Sequence, residues 1–473
     1  MKRILCLILA VLLVLLPACA KKEKKKEDPG KSTSVLDKIG VIDIDSDPMK
    51  KMAADALNSL EDTKLSDKGI TIFSCCDTEY VPESEGTVYS YSLAQRNRMF
   101  EKKYQTKLYQ FSESSDLLLE EAYYNMLAGI GFADILTVPA KDLGRFARKG
   151  LLLNTTALPG ADFSAEWFDS ALMEKAAAGN ENYAVYGDFN KDISSYYCLY
   201  ANKTLFERTE QALPFDKIAD GSWSWDALIE VCRNSNAVSP DTFVLSSEGA
   251  SVNANAVFKS GGFDYIGSGY KKTPAAAFAS DSSQKVIELL RSLNSAGHIS
   301  DNTESFTSGN SLFMIGTVGD MNTVKYLRNS WCILPLPKTD AKAESYTAYM
   351  DENHSVVTCF AGASNASKLF YVLEGLNAAS YGGYLTQAYY NSLIINSLRD
   401  SDTLNMLDYI CGVKDGVQTT DFTDYYSAQI PELYEKTRDL LAEAATGDSI
   451  HIFAAEETTK KTLDPLLQNY FKY

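Results

Sequence analysis

Histidine is the side chain best suited to moving protons near neutral pH, and this sequence holds only His298, His354 and His451, far apart along the chain. No His-Glu-x-x-His, Gly-x-Ser-x-Gly, Gly-x-x-x-x-Gly-Lys or Gly-x-Gly-x-x-Gly segment occurs, so metal-assisted hydrolysis, acyl transfer and nucleotide binding lack their usual machinery. The 62 acidic residues leave one hydrolytic option, a glycosidase, which needs only two carboxylates about 5–9 Å apart. The same acids and the 28 tyrosines also suit binding without reaction. Aromatic rings cover the apolar C–H faces of a sugar, and carboxylates accept hydrogen bonds from its hydroxyls. No catalytic residue, metal ligand or cofactor is expected.

Nine cysteines are present, Cys6 and Cys19 near the N-terminus and Cys75, Cys76, Cys198, Cys232, Cys332, Cys359 and Cys411 further on. With no Cys-x-x-Cys pair they fit neither a zinc site nor a disulfide framework, and small buried thiols are expected. Lys2 and Arg3 precede an apolar run over 4–16, shorter than the roughly 20 residues of a membrane span and suited to the core of an export signal. The run closes with Leu16-Pro17-Ala18-Cys19, which resembles the lipobox of bacterial lipoproteins. That resemblance implies a signal peptide over 1–18, removal of it, and acylation of Cys19, which anchors the chain to the extracytoplasmic face of the cell membrane. An ordinary secretory leader is the alternative. Residues 19–65 then read as a charged tether, in which Asp47-Pro48 opens a short helix striped by Met49, Met52, Ala53, Ala56, Leu57 and Leu60.

The formal net charge of −17 disfavours nucleic acid as a partner, because an acidic surface repels phosphate backbones. Beyond residue 66 the hydrophobic pattern alternates: strands at 69–74, 106–111 and 133–138, helices at 92–104 and 116–127. This order predicts a mostly parallel sheet covered on both faces, with ligands gathering at loops 76–81 and 139–143 beyond the strand ends. A strand at 196–200 and helices at 225–234 and 282–293 predict a second α/β lobe. Two prolines in 331–337 mark an edge or a crossover there.

Several segments in order resemble the carbohydrate-binding, maltose-binding-protein-like group of solute-binding proteins of ABC importers. They are Ala133-Asp134-Ile135 with Lys149-Gly150-Leu151-Leu152, Tyr200-Ala201-Asn202-Lys203-Thr204-Leu205-Phe206, Ser222-Trp223-Ser224-Trp225-Asp226, Phe306 through Phe313, Ile333-Leu334-Pro335-Leu336-Pro337-Lys338, and Arg399-Asp400-Ser401 with Met406-Leu407-Asp408. Ala201, Asn310 and Cys332 depart from the group's usual residues. The resemblance implies a two-lobe, type II periplasmic-binding-protein-like α/β fold with the ligand cleft between lobes. Lobe 1 would take 66–155 and 336–398, and lobe 2 would take 156–335 and 399–473. It implies a monomer that captures a mono- or oligosaccharide by hinge closure and delivers it to ABC permease subunits. A surface glycan-binding or glycan-hydrolysing lipoprotein and a peptide-binding receptor are the rival readings.

Position in that fold nominates ligand contacts. Asp77 and Glu79 follow the first strand, and Asp142 follows the third, where it also suits the cap of the helix carrying Phe146. Glu248 lies in a second-lobe loop, and Asp320 and Met321 follow the strand through Phe313. Tyr349, Asp351 and His354 lie near the hinge, and Tyr425 and Tyr426 occupy the place where the group frequently stacks a sugar. Trp225 is expected to be structural, and Trp223 is open between core and stacking platform.

Overall fold

Ile70, Ile72 and Ile135 pack into one apolar cluster with Phe100, Tyr104, Leu369 and Leu373, whereas Leu136 and Val138 pack into another with Leu118, Leu119 and Ala122. Alternate residues of one strand therefore feed two cores, which requires helices on both faces of the sheet. That sheet runs in the spatial order Ser355–Cys359, Ile135–Pro139, Ile70–Ser74, Leu108–Ser112. Its last three strands are mutually parallel and Ser355–Cys359 is antiparallel to its neighbour. The computed structural model describes residues 47–238, 242–295, 299–396, 401–432, 439, 443 and 451–471. The export signal, Cys19, the lysine-rich stretch and His298 lie outside them.

A second sheet has five strands, ordered Ile299–Ser300, Phe243–Ser246, Ser311–Thr317, Tyr197–Asn202, Trp331–Leu334. Trp331–Leu334 forms its edge, as the two prolines that follow predict. Ser311–Thr317 is parallel to Phe243–Ser246 but antiparallel to Tyr197–Asn202. Trp223 and Trp225 are both fully buried, their indole N–H groups donating to the Pro335 carbonyl at 3.2 Å and to Ser260 Oγ at 2.7 Å. Both are core residues, so Trp223 is no stacking platform.

The helix expected after Asp47 runs over Pro48–Ser59, with Asp47 Oδ1 accepting from the Met49 N–H at 2.9 Å. It buries Ala53 and Leu57 against the body. Tyr346–Tyr349 pairs in parallel with Gly416–Thr419, so a segment expected in lobe 1 is tied to one expected in lobe 2. Among the described residues no helix is long and apolar enough to cross a membrane.

Candidate functional site

The carboxyl ends of Ile70–Ser74 and Ile135–Pro139 open onto a cavity of about 660 Å³, whose walls include Cys75 to Glu79 and Pro139. The opposite wall comes from the second sheet, where Ser311–Thr317 ends and Asp320 follows. A second cavity of about 380 Å³ continues from it, lined by Tyr197, Glu248 and Met314. The two share Thr317, Asp320, Asp351 and Asn353, and so form one cleft bounded by both sheets and by segments 191–197 and 351–353. This is the strand-end placement that parallel sheets favour.

Five of the nominated residues meet there: Asp77, Glu79, Glu248, Asp320 and Asp351. Asp77, Glu79 and Glu248 are exposed, and burial of part of the Glu79 side chain raises its pKa. Asp320 Oδ2 accepts from the Thr317 N–H at 2.7 Å, which fixes the carboxylate at the turn beneath the cleft. Asp351 Oδ1 accepts from the Asn353 N–H at 3.0 Å, and burial pushes its carboxyl up to about 6.

The other six lie outside the cleft walls, each for a local reason. Asp142 is buried at the N-cap position of Leu143–Arg148 but makes no cap hydrogen bond; its Oδ1 accepts from Arg145 Nη1 at 3.0 Å. Met321 is buried in the turn after Asp320, and Tyr426 packs edge-on to Phe471. His354 is fully buried, which lowers its pKa. Its Nδ1–H donates to the Asp351 carbonyl, which leaves Nε2 to accept from the Tyr186 hydroxyl at 2.6 Å. With the Tyr186 proton so used, Tyr425 donates its own to Tyr186 at 2.7 Å. His354 and Tyr425 thus fasten the Asp351 turn from behind.

Tyr349 is a special case, buried but one layer behind the cleft. Its ring stacks on Tyr197 with centroids 5.5 Å apart and planes 7° apart, and Tyr197 presents the aromatic surface in the cleft. The Tyr349 hydroxyl donates to Asp424 Oδ2 at 2.7 Å. Tyr197 and Lys191, the one cation of these walls among the described residues, were not nominated from sequence. The expected strand covered Tyr196 and Tyr197 alike, and two adjacent tyrosines carry no sign of which one faces out. Cys75 and Cys76 also line the cleft, and burial pushes the Cys75 thiol up to about 11, so it stays protonated. Among the described residues no group of three or more His, Cys, Asp or Glu side chains is placed to hold a metal.

The raised Asp351 pKa has a sign that can be tested. A folded state that keeps a proton the unfolded state has released loses stability as pH rises, here between about 4 and 6. Asp351→Asn lacks that loss. The variant should gain on the wild type by about 1–2 kcal/mol between pH 4 and pH 7, allowing for partial exposure. Urea unfolding at both pH values checks this, and a constant difference would refute it.

A two-lobe α/β architecture with a polar, aromatic-lined cleft at the strand ends is suited to holding a solute. The sequence model for the bacterial extracellular solute-binding proteins matches residues 86–350, more than half of the chain, and the chain belongs to that family. It is accordingly extracytoplasmic. Solved structures of similar fold include the GacH receptor of Streptomyces glaucescens, crystallised unliganded and with acarbose, at 14% identity and TM-score 0.52, covering 86% of this chain and all of that one. The cyclic α-maltosyl-1,6-maltose binding protein of Arthrobacter globiformis aligns at 12% identity and TM-score 0.60, over 85% of this chain and 100% of that one. An ABC substrate-binding protein of Listeria monocytogenes, in complex with cycloalternan, aligns at 12% identity and TM-score 0.50, over 84% and 100%. No curated protein matches the chain in sequence.

Proposed function

We propose that this chain is a lipid-anchored receptor that captures a carbohydrate in the cleft by hinge closure and hands it, unreacted, to an ABC permease. The observation that carries this reading is the Tyr197 ring, backed by Tyr349 and set among the carboxylates of Asp77, Glu248 and Asp351. An apolar ring face beside hydrogen-bond acceptors is what a pyranose requires. The ligands of the similar structures, acarbose, a cyclic maltosyl-maltose and cycloalternan, are of the same class. A solute touching both walls favours the closed form by its differential affinity for it, so closure reports occupancy to the permease. Acylated Cys19 would keep the receptor beside that partner.

A thermal-shift screen against mono- and oligosaccharides, with short peptides as controls, tests the proposal. Ligand at 100 times its Kd should add about 2.7 kcal/mol of apparent stability. A saturable rise with one sugar class, and recovery of that sugar intact after hours, is the expected result. A rise with peptides alone would overturn the carbohydrate assignment, and cleavage of the sugar would make the protein a glycosidase.

A further inference from the structure

The two parts of the cleft differ in charge. The larger part bears Asp77, Glu79, Asp192, Asp320 and Asp351 against Lys191. The smaller part, where Tyr197 stands, bears Glu248, Asp320, Asp351 and Glu352, and no Lys, Arg or His lines it among the described residues. With the shared residues counted once, seven carboxylates meet one ammonium. Even that ammonium is divided, because Lys191 also lines a separate cavity with Glu166, Asp169 and Asp188, and its charge acts on Asp188 there.

Two of the acids are set into the walls. Asp320 and Asp351 are fixed by the N–H groups of Thr317 and Asn353. Burial pushes the Asp351 carboxyl up to about 6, with Asp192 and Glu352 adding repulsion, as expected of an acid short of positive charge. The Tyr197 ring shares its wall with Asp351 and Glu248. An aromatic face attracts an organic cation, and carboxylates beside it supply charged acceptors for its N–H groups. Lobes closing on a neutral sugar would desolvate these carboxylates and offer no counter-charge, which is costly. A sugar that carries its own ammonium removes that cost.

We infer that the carbohydrate taken by this cleft is an amino sugar, alone or within an oligosaccharide, whose ammonium lies on the Tyr197 ring beside Glu248 and Asp351. This rests on the carbohydrate reading and narrows it. Glu248 follows the strand Phe243–Ser246 and Asp351 follows Tyr346–Tyr349, so one ammonium answers charges from two separate segments. The acidic walls also attract a cation before contact, an effect that salt screens.

Calorimetric titration of the intact protein with matched sugars tests the inference. The probes are glucosamine, galactosamine, mannosamine and short β-1,4-linked glucosamine oligomers, each beside its N-acetylated and its hydroxyl counterpart, with spermidine as an amine that is no sugar. At about pH 6.5 the sugar amine keeps its proton, as an α-amino group does. At least one amino sugar should bind about tenfold or more tighter than both counterparts, the gain from one hydrogen bond to a charged group. That advantage should shrink between about 0.01 M and about 0.15 M salt. Glu248→Gln, a change at an exposed side chain, and Asp351→Asn should each reduce the ratio of amino-sugar to hydroxyl-sugar affinity about fivefold. An advantage below tenfold, one that salt leaves unchanged, or a ratio that both variants leave unchanged overturns the inference. Neutral sugars binding as well as their amines would do so while keeping the carbohydrate reading. Binding by spermidine alone, or by no probe, would remove both.

Discussion

Lys259→Met should lower the free energy of unfolding by about 3–5 kcal/mol, because it leaves a carboxylate buried without its cation. Lys259 and Asp421 form an ion pair with side chains only 2% and 0% exposed. Burial alone would raise the Asp421 pKa, but the Lys259 ammonium and the Thr423 hydrogen bonds more than offset it and hold the carboxyl below its ordinary value. Asp424, beside it, shows the reverse: burial and the charge of Asp421 push its carboxyl up to about 7. One cation therefore keeps one of two neighbouring acids ionised, and Asp424 accepts the hydroxyl of Tyr349. Urea unfolding at pH 7 measures the loss. The double variant Lys259→Met with Asp421→Asn should recover at least half of it, since Asn keeps an oxygen to accept from the Thr423 N–H, now at 2.8 Å. A loss below about 1 kcal/mol for the single variant would show that water or a neighbour neutralises Asp421 instead.

None of this network is visible in the sequence, because Lys259 and Asp421 are 162 positions apart and each, alone, reads as a surface charge. What is visible follows from local rules. The apolar run at Ile135–Pro139 is buried on both sides, and that at Ile70–Ser74 is buried on one face and partly buried on the other, as central strands of a parallel sheet covered by helices require. Once those strands are placed, the loops after them must meet the cleft, which is why Asp77 and Glu79 are legible in the sequence as cleft residues. Asp142 shows the limit of that rule. It follows a strand end just as directly, but Arg145 stands one helical turn on and takes its carboxylate. The aromatic positions fail for another reason. Tyr349 and Tyr425 lie just behind the cleft, yet whether a tyrosine faces a cleft or a core depends on strand phase and on a partner such as Asp424 or Tyr186, and neither is encoded nearby.

Tyr197→Ala should weaken sugar binding about 30-fold, or about 2 kcal/mol, from lost apolar contact and ring stacking together. The cleft has few other ring faces: Tyr89 and Tyr389 lie on its far wall, packed edge to face with centroids 5.2 Å apart, and so occupy each other. Tyr197 alone stacks face to face on a buried ring, and Tyr349 cannot turn away while its hydroxyl is held by Asp424. Tyr197→Phe keeps the ring and should keep affinity within about threefold, which is less than 1 kcal/mol. Tyr349→Phe keeps both rings stacked but frees the inner one from Asp424, so its effect should fall between those of the other two. Titration calorimetry with one sugar orders the three variants. Equal affinity for Tyr197→Ala and wild type would mean that the carboxylates at Asp77, Glu248 and Asp351 carry recognition without an aromatic platform. The ordering matters because it ties a cleft contact to the core behind it: the same Lys259 that holds Asp421 ionised sits 5.5 Å from the centre of the Tyr349 ring. A loss of sugar affinity in Lys259→Met, measured where that variant is still folded, would show that this buried charge also sets the platform on which the ligand rests.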